Sequence, residues 1–359
     1  MSATPTSCSL SLCMMARNAE DSLERTLQSV ASLVSEIILV DTGSTDKTVE
    51  IAKRYGAKIL PAIWNEDFSE MRNLTLDAAT GQWILVLDSD EWMLERDVVA
   101  LRLLLEDEAQ SGHLPTKAFR LLNRSIAPKG QGAGTAAYLT RLFPNHPKIR
   151  FRFPIHEQVD TSIAELGIPT LNASIEIQHD GYCDPTIRLH KQERNLKILQ
   201  KQLRTETPLP ITHFLLAGCL LDLSRYDEAL DAYLSTYESA LARQVTTLVD
   251  AALVRIPTCL LHLERWNEAL AFCESIRGNA ASHPELMLTH AKVLAALDRR
   301  TEANAVMEAV LKLPNVPRMP PCDHGASLLE AGLWTTSEAL RTAFQTSTSL
   351  PSPGPSSSQ

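Results

Sequence analysis

The stretch WILVLDSDEWM, residues 83–93, changes character halfway along. Trp83 to Leu87 are five consecutive apolar residues, the pattern of a short strand in a sheet covered on both faces. Asp88, Asp90 and Glu91 then fall within four positions. Magnesium or manganese suits such a group, because these hard ions accept one or two carboxylates and complete their shell with water and phosphate. Asp88 and Asp90 reach one cation if the backbone bends after Leu87. The plainer alternative is a solvated acidic turn. An EF-hand is excluded, since Trp92 and Met93 stand where a ligand and a glycine are required.

Outward from that stretch, strand and helix patterns alternate. SLSLCMMA (9–16) reads as a strand, and LERTLQSVASLV (23–34) places Leu23, Leu27, Val30 and Val34 on one helical face, with Asn18 as its expected cap. EIILV (36–40) is a second buried strand, TDKTVEIAKRYG (45–56) a helix closed by Gly56, and AKIL (57–60) a third strand. SEMRNLTLDAATG (69–81) is a helix ending at Gly81. This alternation predicts an α/β domain with a mainly parallel sheet, in which ligands bind beyond the carboxyl ends of the strands. Asp41 and Asp88 each follow an apolar strand, so both are placed at that crevice.

After a helix near 97–110, KAFRLLNR, AAYLTRLF, IRFRFPIHEQV and ASIEIQH are rich in strand formers. SIAPKGQGAGTAA (125–137) is a glycine-rich loop, expected to be mobile. From Pro185 onward the pattern is helical alone. CLLDLSRYDEAL (219–230) and CLLHLERWNEAL (259–270) share eight of twelve residues. Glu268 to Glu302 spans 34 residues, the tetratricopeptide period, whereas Glu228 to Glu268 spans 40 and implies an insertion. About three helical hairpins are expected. The predicted organisation is residues 1–184 as the α/β domain, 185–314 as helical repeats, and 315–359 as an extension whose polar, proline-rich end is expected to be disordered.

The formal charge of −9 argues against a nucleic-acid partner. Seven cysteines without a Cys-x-x-Cys pair suggest free thiols in a reducing compartment. No signal-like or membrane-length apolar run is present, so a soluble cytoplasmic protein is expected.

In VDTGSTDKT (40–48), Asp41 is suited to accept from a base N–H or a ribose hydroxyl, while Ser44, Thr45 and Asp46 equally suit the capping of the next helix. In WNEDFSEMRN (64–73), Arg72 either faces a phosphate or lies on a helix surface.

Together, ILVDTGSTDKTVEIA, DFSEMRNLTLDAATGQWILVLDSDE, RLFPN, IHEQV and HDGY resemble glycosyltransferase family 2, whose nucleotide-sugar-binding fold is called GT-A. The likeness covers most of residues 9–310 and is strongest to the subgroup with C-terminal tetratricopeptide repeats, which includes peptide S-glycosyltransferases. It implies that Asp41 binds uracil or ribose, with Ser44, Arg72 and Asp88 also on the nucleotide sugar. It further implies that Asp88 and Asp90 form an Asp-x-Asp site for manganese or magnesium, and that the reaction inverts the anomeric centre. A UDP-sugar is the favoured donor. Peptide, protein or glycan acceptors are all compatible, the repeats favouring an extended peptide or, alternatively, a homodimer. His179 is a candidate third metal ligand, although His156 and His179 also suit structural roles. Inversion calls for one general base, Glu157 or Asp180; Glu157, after FRFPIH, is the choice, in a partly apolar setting favourable to proton transfer. The competing readings are a haloacid-dehalogenase-type phosphatase and an inactive repeat scaffold.

Overall fold

The computed structural model describes residues 9–312 apart from 111–114, 127–135, 181–184, 205–207 and 277–282. Of the loop expected at 125–137, residues 127–135 lie outside the described set, as does the tail, while Ser125 ends one strand and Ala136 and Ala137 begin the next. The chain divides into two compact units, residues 1–130 with 134–188, and 131–133 with 189–359.

The first unit is built in the order β1 (Leu10–Ala16), α1 (Leu23–Val30), β2 (Glu36–Asp41), α2 (Thr48–Arg54), β3 (Lys58–Pro61), α3 (Phe68–Ala78), β4 (Trp83–Val86), β5 (Glu91–Trp92), α4 (Glu95–Gln110), β6 (Ala118–Ser125), β7 (Ala136–Pro144), α5 (Asp160–Glu165) and β8 (Thr170–His179). The strands form one sheet in the order β3-β2-β1-β4-β7-β6-β8-β5. Its first half is parallel; β4 meets β7 antiparallel, and β6, β7, β8 and β5 continue as a mixed region. The expected parallel character therefore holds for half the sheet.

Alternation along the strands divides the core between the two faces. Leu10, Leu12, Met14 and Leu85 pack on one side with Leu23, Leu27 and Leu101, and Cys13, Ile38, Ile84 and Val86 pack on the other with Leu76 and Ile163. Double coverage explains why β4 is apolar throughout. Gly81 marks a close approach: a Cβ there would lie 2.6 Å from Ser11 Oγ and 2.9 Å from Ser11 N.

Three local expectations are corrected. α1 begins after Ser22 rather than at Asn18, whose backbone is left-handed at φ 50° and whose Oδ1 accepts from Thr45 N at 2.8 Å; Val34 lies beyond the helix. α3 ends at Ala78, short of Gly81. IRFRFPIHEQV is no strand: Phe153 and His156 have φ of 76° and 54°, Pro154 lies between them, and pairing shrinks to one bridge, Arg152 with Gln158.

α6 (Pro185–Gln202) begins in the last residues of the first unit, and the rest of the second unit is three hairpins: α7 (Pro210–Asp222) with α8 (Tyr226–Ala242), α9 (Thr246–His262) with α10 (Trp266–Ser275), and α11 (Pro284–Ala296) with α12 (Arg300–Leu311) among the described residues. The uneven spacing of the repeats follows from α8 and α9, each 17 residues long, against 10 in α10 and 13 in α11. Arg225–Glu228, Arg265–Glu268 and Arg299–Glu302 form the same two-pronged ion pair at the start of each second helix. Four helix ends close identically. The N–H of Arg225, Val245, Arg265 and Arg299 donates five residues back, and the preceding Ser224, Gln244, Glu264 and Asp298 are left-handed at φ 58–59°. This is the Schellman closure, in which glycine is the usual left-handed residue. Among the described residues, no helix is long and apolar enough to cross a membrane.

Candidate active site

Strand order reverses beside β1, whose neighbours are β2 and β4, and in such sheets the crevice opens at the carboxyl ends of the strands around that reversal. Asp41 closes β2. Its carboxylate accepts from Ser44 N at 3.1 Å and Gly43 N at 3.4 Å, which fixes the turn. Ser44 Oγ accepts from Asn18 N at 3.0 Å, so Ser44 joins two loops and does not cap α2. Asp46 comes nearest to capping, accepting from Thr48 N at 2.9 Å.

Beyond β4 the turn is tied at each step. Glu91 N donates to Asp88 O at 3.0 Å, and Thr26 Oγ1 donates to Ser89 O at 2.9 Å. Asp88 Oδ1 accepts from Arg72 Nη2 at 2.6 Å, and Oδ2 from Arg141 Nη2 at 3.1 Å. Arg72 Nε also donates to Glu157 Oε1 at 2.5 Å. Arg72 is thus neither on a helix surface nor open to solvent: its side chain is 7% exposed and joins two carboxylates. Glu157, expected in a partly apolar setting, instead has this ion pair, because the turn at 153–156 carries it back toward α3; Phe68 N donates to Pro154 O at 2.8 Å.

Burial opposes ionisation of Asp88, yet the Arg72 and Arg141 guanidiniums outweigh it and hold the carboxyl well below the usual range. Glu91 responds in the opposite direction. It is 1% exposed, and burial pushes its pKa up against the attraction of Arg141. Its Oε1 accepts from Arg141 Nη2 at 2.6 Å and from Asn123 Nδ2, and its Oε2 accepts from Asp88 N at 2.8 Å.

β5 pairs Glu91 with His179 of β8, which brings His179 Nε2 to 3.5 Å from Asp90 Oδ2. Burial lowers the His179 pKa, but the Asp90 hydrogen bond and the charges of Asp90, Glu91 and Asp88 outweigh it and raise the value. Asp180 pairs with Arg25 Nη2 at 2.8 Å, and Arg25 stacks 3.6 Å over the Trp92 ring.

The structure therefore joins Glu157, Arg72, Asp88, Arg141 and Glu91 in one charged chain and sets Asp90 beside His179. Asp41 with Ser44, and Asp180 with Arg25, form separate contacts. Among the described residues no three His, Cys, Asp or Glu side chains gather into a metal site. Asp90 and His179 nonetheless offer a hard oxygen and an imidazole nitrogen, which fits a manganese or magnesium ion that takes its other ligands from phosphate and water. With both oxygens of Asp88 held by guanidiniums, the geometry is poor for the free aspartate nucleophile of the phosphatase reading. Sequence reading assigned no role to Arg141, which begins RLFPN, or to Glu91. The available signal was an arginine embedded in the apolar strand LTRLF, where burial demands a charged partner.

The first unit is thus a mixed α/β sheet with acids following β2 and β4, and helical hairpins come after it in the chain. Residues 11–153 match Glycosyl transferase family 2. A TPR repeat-containing protein of Synechococcus elongatus is 34% identical over 282 residues, 67% of each chain. The SPbeta prophage-derived glycosyltransferase SunS of Bacillus subtilis is 25% identical over 222 residues, 60% of this chain and 50% of that one. The chain thus spans about two thirds of the first relative's length and about half of the second's. Among solved structures, S. aureus TarS 1–349 in complex with UDP-GlcNAc aligns over 81% of this chain and 92% of that chain at 14% identity, with a TM-score of 0.43. Residues 11–153 therefore form a domain that belongs to glycosyl transferase family 2.

Proposed function

We propose that the chain transfers a sugar, with inversion, from a UDP-sugar to a peptide, protein or glycan acceptor, using manganese or magnesium. The observation that carries this reading is the position of Asp41 at the end of β2 and of Asp88 and Asp90 just beyond β4, within the segment that matches family 2. Asp41 is assigned to the uracil or ribose. Its carboxylate has acceptor capacity beyond the two turn amides. Asp88 and Asp90, with His179 as a third ligand, would hold the cation, which would supply electrostatic stabilisation to the departing diphosphate. Asp88 sits between two guanidiniums and faces the nucleotide, while Arg72 provides positive charge beside the phosphates.

On the acceptor side, Glu157 Oε1 is occupied by Arg72, and Oε2 has no partner among the described residues. Oε2 is the atom assigned to receive the acceptor proton, with Asp180 as the competing base. The helical hairpins offer a surface for an extended peptide or a second copy of the chain, and residues 1–184 and 185–314 remain the proposed functional division. A reducing, cytoplasmic setting suits the four buried free thiols found among the described residues.

A panel of UDP-, GDP- and TDP-sugars, assayed for donor hydrolysis with manganese and with chelator, tests the reading. Metal-dependent release of UDP supports it, whereas release of phosphate from monoester substrates returns the phosphatase reading. Absence of turnover and of nucleotide binding favours the inactive scaffold. Glu157→Gln and Asp180→Asn then divide the acceptor chemistry, the true base losing about 10²- to 10⁴-fold in transfer to a hydroxyl acceptor.

A further inference from the structure

We propose that Arg141 and Glu91 are positioning residues that fix the donor-side carboxylate of Asp88 by gripping it from two directions; the inference rests on the donor-binding reading above. Glu91 holds the main chain of Asp88, through Oε2 on its N–H at 2.8 Å. Arg141 holds the side chain, through Nη2 on Oδ2 at 3.1 Å. The same Nη2 donates to Glu91 Oε1 at 2.6 Å, which closes a ring of three residues. Asn123, on β6, locks Glu91 from behind.

Exposure separates the three members. The side chains of Glu91 and Arg141 are 1% and 10% exposed, whereas that of Asp88 is 31% exposed. Two of the three are therefore supports and only Asp88 reaches the crevice. Burying such charges is a poor way to gain stability, since apolar residues of equal volume commonly do as well or better. What the ring provides is orientation. A carboxylate following an apolar strand on a short turn would otherwise turn freely about its side-chain bonds, and held groups bind better than groups that must be ordered on binding. Arg72 also touches Asp88 but is shared with Glu157, so the ring of Arg141 and Glu91 is the part dedicated to the donor side.

The test is calorimetric titration of UDP with manganese into the full chain, alongside a thermal melt of each protein. Arg141→Met and Glu91→Gln are expected to weaken manganese-dependent UDP binding by about 10-fold or more, the effect typical of losing an outer support to a metal-site ligand. Arg141→Lys should stay within about threefold of the natural chain, because one ammonium nitrogen can donate to both carboxylates as Nη2 does. A purely structural role would lower the melting temperature of Arg141→Met and leave the affinity of the folded protein unchanged. That result overturns the proposal, as does equal weakening by the lysine and methionine variants. Should Arg141→Met fail to fold, Asn123→Ala loosens Glu91 from outside the ring: weaker binding supports the proposal and unchanged binding overturns it. If the natural chain binds neither UDP nor GDP with manganese, the donor-binding reading itself falls and the proposal with it. Natural-chain binding with unaffected variants rejects the positioning role alone.

Discussion

Replacing Arg72 by methionine keeps most of its volume and removes the guanidinium that two carboxylates share. Hydrogen bonds of 2.6 Å to Asp88 and 2.5 Å to Glu157 are lost together. Glu157 is 12% exposed and would be left without its counter-charge, a situation that typically costs ~3–5 kcal/mol. Asp88 is 31% exposed and recovers some hydration, which places the expected loss near the lower end, about 3 kcal/mol. For a unit of this size each kcal/mol moves the melting temperature by about 2–4 °C, so a fall of about 6–12 °C is expected at pH 7. The gap should depend on pH with a definite sign. The Asp88 pKa is depressed in the folded state, so its stabilisation is present above the ordinary carboxylate value of about 4 and is lost as pH falls through the depressed value. The natural chain and the variant should therefore converge in acid. A change below about 2 °C at pH 7, or a gap that widens below pH 4, would refute the reasoning.

Gly81→Ala forces a Cβ to within 2.6 Å of Ser11 Oγ and 2.9 Å of Ser11 N, and should cost about 1–3 kcal/mol in a urea titration. In the repeats, His283 accepts from Glu285 N at the start of α11, and burial, aided by Arg255, pushes its pKa down to about 4. The unfolded chain takes up this proton first, so stability is present above about pH 6.5 and falls as pH drops toward about 4. His283→Asn retains a capping group and should flatten that part of the profile, measured as melting temperature against pH. Burial pushes the thiols of Cys13, Cys219, Cys259 and Cys273 up to about 12. Mapped by mass spectrometry, all four should resist iodoacetamide at pH 8 in the native protein and react after denaturation.

The apolar strands of the first unit were readable because double coverage leaves no polar alternation to interpret: EIILV and WILVL match β2 and β4 closely. The helical repeats were readable from their paired sequences. IRFRFPIHEQV misled because its alternation satisfies a strand pattern while its backbone is set by contacts with α3, and two left-handed residues break the pairing. The acids at the site were visible at strand ends, but their partners were not. Arg72 lies 16 residues before Asp88 and Arg141 53 residues after it, so their meeting depends on the sheet order. The two-residue β5, which sets His179 beside Asp90, is too short to carry a periodic signal.

The Schellman closures of the helical unit also bear on how evenly this chain matches residue to backbone. In the first unit the same closure after α2 and α5 uses Gly56 and Gly167 at the left-handed position. In the repeats it uses Ser224, Gln244, Glu264 and Asp298. A left-handed residue with a Cβ costs about 1–2 kcal/mol, of which glycine would return about 0.5–1 kcal/mol as extra freedom of the unfolded chain. Local preference and array geometry oppose each other at four helix ends, and the geometry prevails. In a stack whose stability is roughly the sum of its repeats, glycine at these turns would raise the whole array in small independent steps, without altering a residue on any helix face.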